Sequence, residues 1–491
     1  MTTEGSLIRY VVLCLTGILC MTLAGCGNQI ADNVEDLAYP DLADIDVPEA
    51  TRLTLDNGMR LFLLEDHELP LINASARIRV GSIYEPADKV GLAGITGAVM
   101  RTGGTISQTG DELDQILESL AASVETSIGL NAGYASMSVL KKDVDRVLGI
   151  FADVLMNPAF REHKIALQKM QHRSAIARRN DDPGAITARE FEKLIYGADS
   201  IYARHTEYET IDNISREDCV QFHRAYFCPN HTMLAVWGDF ETDAMIRKIE
   251  AAFADWEKAV VELPDVPEVT YEYPSTLNLA VKTEINQSNI RLGHIGGLIS
   301  DPDYFALIVM NRILGGGFTS RLFRNVRSRQ GLAYSVYGRY DSNFDYPGMF
   351  YVGCQTASEN TLKAIQALKD EIRKITQSEV TDEELALAKE SFLNSFVFNF
   401  DSTGEIVSRM LTYEYYGYPR DFLQKTKANV EQVSKADVLR AARKHLHPDQ
   451  VQTLVVGNPE DFGMPLSELG SVNQLDISIP EPQPAEAPAE Q

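Results

Sequence analysis

Ser215-Arg216-Glu217-Asp218 opens one stretch of this chain, Ser434-Lys435-Ala436-Asp437 opens another, and the two run in step. In each copy Ser to Asp is three residues, Asp to a proline (Pro229, Pro448) is eleven, and proline to a glycine (Gly238, Gly457) is nine. The apolar runs Met233-Leu-Ala-Val-Trp237 and Thr453-Leu-Val-Val456 precede the two glycines. Each landmark has a local cause. Ser with an acidic residue three positions on caps a helix, proline ends it, and glycine lets a buried strand turn sharply. Two copies, 219 residues apart with matched spacings, imply a duplicated α/β unit.

Outward from the repeat, patterning predicts an alternating strand from Leu53 to Glu65 across an Asn57-Gly58 turn, and another from Ile72 to Val80. Amphipathic helices are predicted at Leu113 to Ala122 and Lys142 to Leu155. The second half offers strands at Leu277 to Glu284 and Ile290 to Gly293, then helices at Tyr304 to Leu314 and Glu359 to Ile375. The fold class is α+β, two duplicated halves each with a mostly antiparallel sheet covered on one face by helices. The expected domains are residues 51–257 and 277–465, with a Pro-rich linker at 258–276.

The ends read differently. Tyr10 to Gly25 is almost uninterruptedly apolar, follows Arg9 and ends in Leu23-Ala24-Gly25-Cys26. A run this short falls below the ~20 residues needed to span a bilayer, and small residues precede the cysteine. Leu-Ala-Gly-Cys resembles the lipobox of bacterial lipoproteins. That resemblance implies that residues 1–25 are a signal peptide, that Cys26 is the lipidated first residue, and that Gly27 directs the protein to the outer membrane, facing the periplasm. Residues 26–50 form an acidic tether: from Asn28 to Ala50 there are seven acidic side chains and no Lys or Arg. Residues 466–491 are expected to be a disordered tail, Pro/Ala/Glu-rich from Pro480 onward. A net charge of −25 excludes nucleic acid as a partner, because phosphate binding needs a clustered basic face. Cys219, Cys228 and Cys354 read as buried thiols, a bridge through Cys228 being the lesser alternative.

Thr54-Leu-Asp-Asn-Gly58, Glu68-Leu-Pro-Leu71, Gly81-Ser-Ile-Tyr-Glu-Pro86 and Gly91-Leu-Ala-Gly-Ile-Thr-Gly-Ala98 together resemble the opening of the pitrilysin/insulinase peptidase family. The resemblance runs from about Thr51 to Gly457 and implies a clamshell of two halves. In that family the fourth segment opens the helix carrying His-x-x-Glu-His. Zinc hydrolysis needs two imidazoles one helical turn apart, a carboxylate base and a third ligand from elsewhere. Here the matching positions are Gly94, Gly97 and Ala98, and the third-ligand position falls on Arg173 or Ser174, in a window from His163 to Asn180 that holds no carboxylate. No cluster replaces them. His163 and His172 lie nine apart, His445 and His447 are read as lacking an acidic partner, and no Gly-x-Ser-x-Gly elbow exists. Gly94, Gly97 and Ala98 make one helix face nearly free of side chains, either for close helix packing or as a groove for a peptide.

In the second half, Gly315-Gly-Gly-Phe-Thr-Ser-Arg-Leu-Phe-Arg-Asn-Val-Arg-Ser-Arg-Gln-Gly-Leu-Ala-Tyr334 resembles the family segment in which an Arg and a Tyr face the zinc across the clamshell. Arg327 and Tyr334 match that pair, whose role in the family is to hold the scissile peptide and the charge building on its carbonyl oxygen. The alternative is a pair that only braces the helix-to-strand turn. The triple glycine is not a phosphate loop, since no Gly-Lys-Ser/Thr follows. Some members of the family divide labour between two chains. The expectation is therefore a pseudopeptidase subunit with no cofactor of its own, acting on peptides beside a zinc-bearing homologue (heterodimer) or a second copy (homodimer) and tethered to the membrane by its lipid. A peptide-binding or scaffolding lipoprotein without enzymatic role is the competing reading.

Overall fold

The computed structural model describes residues 48–481. The signal segment, Cys26, most of the tether and the last ten residues lie outside the described residues.

The first half contains strands β1 (Thr51–Thr54), β2 (Arg60–Glu65), β3 (Leu71–Ile78), β4 (Ser123–Ile128), β5 (Gly133–Leu140) and β6 (Thr232–Gly238). Its helices are α1 (Leu92–Thr102), α2 (Gly110–Ser119), α3 (Val144–Met156), α4 (Glu162–Ala177), α5 (Pro183–Tyr196), α6 (Tyr208–Asp212), α7 (Arg216–Tyr226) and α8 (Thr242–Ala252). After 257–275, which carry no helix or strand, come β7 (Thr276–Val281), β8 (Gln287–Ile295) and the two-residue β9 (Gly297–Leu298). Then follow β10 (Ser335–Tyr340), β11 (Ser342–Asn343, paired only with β9), β12 (Met349–Ala357), β13 (Gln452–Gly457) and β14 (Val472–Leu475). The second half's helices are α9 (Tyr304–Leu314), α10 (Thr361–Gln377), α11 (Asp382–Phe396), α12 (Thr403–Tyr416), α13 (Phe422–Gln432) and α14 (Lys435–His445).

The duplication is visible strand by strand. The first sheet runs β1-β2-β6-β3-β5-β4 and the second β14-β7-β13-β8-β12-β10, so each strand has its counterpart at the same place. Most neighbours are antiparallel; the closing strand is parallel to the first long strand in both halves, β2 with β6 and β7 with β13. The two landmark helices α7 and α14 both begin with a full capping box, Ser215 with Asp218 and Ser434 with Asp437. Two α+β halves result, each on a mostly antiparallel sheet, as the patterning predicts.

One feature goes beyond that expectation. The long helical layer covers one face of each sheet, and a helix from the opposite half covers the other. From the first half, α5 packs Ile186, Phe191 and Ile195 onto Ala280, Leu454 and Val456 of the second sheet. From the second half, α12 returns Val407, Leu411 and Tyr415 onto Phe62, Leu64 and Ala235 of the first. Strands β6 and β13 are thus buried on both faces, which is why their sequences are continuous apolar runs and not alternating ones.

Over residues 466–481 the tail expected at 466–491 is corrected by the structure. Leu466 is buried, and β14 adds to β7 in parallel. Beyond it Ile477 and Ile479 pack on the body, and Asn180 donates to the Ile477 carbonyl at 2.5 Å. The physical reason is the open edge of β7, whose unpaired backbone groups need a partner where β1 serves the first sheet. Truncation after Pro465 removes these aliphatic contacts and is expected to cost on the order of 3 kcal/mol or more, seen as a lowered melting temperature.

Candidate functional site

The Gly81–Pro86 motif finds its use at the start of α1. Glu85 is buried, and its carboxylate accepts hydrogen bonds from the backbone N–H groups of Gly91 (3.1 Å) and Ala93 (2.9 Å), capping the helix. Arg204 donates to the carbonyls of Ser82 and Glu85 and fixes the turn. Burial raises the Glu85 pKa, opposed by those two N–H donors.

The three motif positions on α1 do not form one open face. Gly94 is exposed, and a Cβ there meets nothing within 4 Å. Gly97 is buried: a Cβ there would sit 2.5 Å from the backbone nitrogen of Ile128 on β4, and Thr126 donates to the Gly97 carbonyl at 2.7 Å. Ala98 is half-buried. Gly97 therefore serves close packing of α1 on β4, and only Gly94 faces open space. Opposite signs follow for the same substitution. Gly97→Ala is expected to cost about 1–3 kcal/mol by overpacking. Gly94→Ala is expected to gain ~0.5–1 kcal/mol from helix propensity. Urea denaturation of the two variants checks the pair.

The third-ligand position is equally unsuited to a metal. Arg173 of α4 holds both carboxylate oxygens of Asp212 at 2.7 Å and lies over the Tyr208 ring. Ser174 gives its hydroxyl to the Met170 carbonyl. With two glycines, an alanine, a paired arginine and a serine, these positions do not fit a zinc ion. Reinstating glutamate at 97 would also require β4 to retreat.

His445 departs from the sequence reading, which gave it no acidic partner. Its Nε2 lies 2.9 Å from Asp303 and 3.7 Å from Asp301, residues at the start of α9 that the sequence separates from it by more than 140 positions. Among the described residues these three come close enough to share a metal. Asp303 is already committed, however, to Lys444 at 2.8 Å, to Arg440 and to His445. Burial would raise its pKa, but those hydrogen bonds hold it well below the usual carboxylate range. The group is an ion-pair cluster tying α14 to α9.

In the second half, α9 is followed by the triple glycine and then by a wide π-helical turn over Phe323–Arg329. Gly331, at φ +64°, reverses the chain, and Tyr334 follows with its N–H on the Gln355 carbonyl of β12. Three arginines of the segment are occupied. Arg321 binds Glu384 through two 2.8 Å bonds, Arg324 reaches the same carboxylate at 3.2 Å, and Arg329 donates to Asn325. Arg327 has no carboxylate within ion-pair distance among the described residues. Its guanidinium lies 4.7 Å from the Phe323 ring centre and 6.0 Å from that of Tyr334. Tyr334 is 76% exposed, and Phe318, 78% exposed, packs edge-on against Phe323. The structure thus brings Arg327 and Tyr334 together at the surface, the arginine steered by aromatic faces and free of any neutralising acid.

Two family models match. One described as "Insulinase (Peptidase family M16)" covers residues 63–198, and one described as "Peptidase M16 inactive domain" covers 213–392. Among curated relatives, an "Uncharacterized zinc protease YmxG" of Bacillus subtilis (strain 168) is 26% identical over 73% of this chain and 86% of its own length. A "Non-peptidase homolog YmxG" of Helicobacter pylori is 23% identical over 80% of this chain and 90% of its own. In fold, the chain superposes on the crystal structure of a peptidase M16 inactive domain from Pseudomonas fluorescens (TM-score 0.76, 22% identity, 84% of this chain and 98% of that one). It also superposes on the periplasmic protease PqqL from Escherichia coli (TM-score 0.70, 17% identity), covering 85% of this chain and 48% of that one, so PqqL carries about as much chain again. The chain belongs to the pitrilysin/insulinase (M16) peptidase family.

Proposed function

We propose that this chain is the non-catalytic subunit of an exported peptidase, supplying Arg327 and Tyr334 in trans to a homologue that carries the zinc-binding residues. The observation that carries the reading is the state of the pair: a guanidinium without an acid partner among the described residues, beside an exposed tyrosine, in a chain whose positions matching the zinc ligands cannot ligate. An unpaired cation and a neutral hydroxyl at a surface stay hydrated and add little to stability. They gain their value when a second body closes over them and excludes water. In this reading a bound peptide's carbonyl oxygen accepts from the Tyr334 hydroxyl and the Arg327 guanidinium, while hydrolysis is supplied by the partner, where zinc is expected. A match to about half of PqqL fits a family in which two such lengths work together, here as separate chains. Lipidation at Cys26 would hold the body at the outer membrane.

A pull-down of the tagged protein from its own envelope extract tests this. A co-purifying homologue with His-x-x-Glu-His supports the reading. Recovery of the protein alone, without peptidase activity in the eluate, favours the peptide-binding lipoprotein.

A further inference from the structure

The seam between the two halves holds a cavity of about 430 Å³ that plays no part in the Arg327 and Tyr334 reading. Its walls are aromatic: Tyr84 from the turn before α1, Tyr202 from the loop after α5, and Tyr415 and Tyr416 from the end of α12. Val266 of the linker also lines it. Three of the rings are braced from behind. Tyr84 stacks on Tyr226 with centroids 5.5 Å apart, Tyr202 on Tyr346 at 4.3 Å, and Tyr416 on Phe344 at 4.4 Å. Rings stacked in this way present preorganised faces to whatever enters.

Four charged side chains reach the cavity, and two of them neutralise each other, Arg60 and Glu414 at 3.3 Å. Arg79 lies over the Tyr415 ring at 4.9 Å and gives Nη2 to the Tyr415 carbonyl at 3.1 Å, with no carboxylate partner among the described residues. Asp345 accepts from the Asn131 amide at 3.0 and 2.9 Å and has no cationic partner among the described residues. One unmatched charge of each sign therefore faces a braced tyrosine wall. The Tyr84 hydroxyl, raised chiefly by burial, registers both, since Arg79 lowers its pKa and Asp345 raises it.

We infer that the seam cavity binds a small zwitterion of amino-acid to dipeptide size, its ammonium on Asp345 and the tyrosine faces and its carboxylate on Arg79. A simple cation would meet Arg79 and a simple anion would meet Asp345; a molecule bearing both charges satisfies both at once. Tyrosine faces beside a carboxylate are the usual setting for an ammonium. The volume falls in the range of small-molecule sites, and its place between two halves is where such sites form.

Titration calorimetry on the purified full-length chain tests the inference, with L-phenylalanine and L-alanyl-L-phenylalanine as zwitterions. N-acetyl-L-phenylalanine lacks the ammonium and L-phenylalaninamide lacks the carboxylate. Saturable binding of at least one zwitterion, weakened about tenfold or more when either charge is blocked, is expected. Asp345→Asn, at an exposed loop position, should weaken the same zwitterion about tenfold with an unchanged melting temperature. No heat from either zwitterion up to about 10 mM, equal binding of the blocked compounds, or indifference to Asp345→Asn overturns it. Because the chain is measured alone, the outcome is independent of the partner role.

Discussion

Tyr334→Phe, made in the complex with the zinc-bearing homologue, is expected to lower kcat/KM by about 10²–10³-fold while leaving the melting temperature of this chain unchanged. The stability half follows from exposure: Tyr334 is 76% exposed, its hydroxyl has no partner among the described residues, and phenylalanine keeps the ring against which Arg327 lies. The catalytic half follows from the role proposed, since one donor aimed at a developing oxyanion in a closed cleft is worth about 3 kcal/mol or more. Arg327→Ala should cost a similar factor, and Arg327→Lys should recover only part of it, because a flexible ammonium does not reproduce a planar cation lying between two rings. Steady-state kinetics with a quenched peptide check all three. A pair that merely braces the turn would give the reverse pattern, with lowered melting and unaltered kcat/KM.

Acidification from pH 7 to about 4.5 is expected to remove several kcal/mol of stability, with the partly buried His205, also lowered to about 4 by desolvation, adding to the contributions of His223 and His294. Both are buried, and desolvation lowers each pKa to about 4. The His223 Nε2 bonds the Leu155 carbonyl; the His294 Nδ1 bonds the Ile295 carbonyl, and its Nε2 accepts from the His447 N–H, so neither site favours a second proton. The unfolded chain takes up those protons near pH 6.5 and the folded chain does not until about pH 4. The stability contribution is thus complete above 6.5 and is lost progressively as pH falls toward 4, by roughly 3 kcal/mol per histidine over the full window. Glu85 and Asp341, both raised by burial, act in the opposite sense at the lower end and reduce the net fall. Urea midpoints at pH 7, 6, 5 and 4.5 check this, with His223→Gln and His294→Gln each flattening the curve. A pH-independent midpoint contradicts it.

The repeat was legible because capping boxes, prolines and turn glycines act locally, and both copies fold as their spacing says. The Arg327 and Tyr334 pair came from the resemblance of the segment between α9 and β10 to its family counterpart; the structure brings the guanidinium to 6.0 Å from the ring centre, and the pair's role is a proposal. What escaped was non-local. The periodicity of α5 and α12 marks an apolar stripe on each helix but cannot say that each crosses to the opposite sheet. β14 is too short and too polar to read as a strand until the open edge of β7 is known. His445 meets Asp303 only because α14 packs beside α9, and Asp345 meets the tyrosines only at the seam. The helix face at Gly94, Gly97 and Ala98 divided between open space and packing, because a missing side chain invites a neighbour wherever one is near.

The account turns on one comparison: peptide hydrolysis by the purified zinc-bearing homologue, by this chain, and by the two mixed at equal concentration. The prediction is negligible cleavage by either chain alone and chelator-sensitive cleavage by the mixture. Cleavage by this chain alone, or a homologue fully active without it and unaffected by its addition, would contradict the central claim.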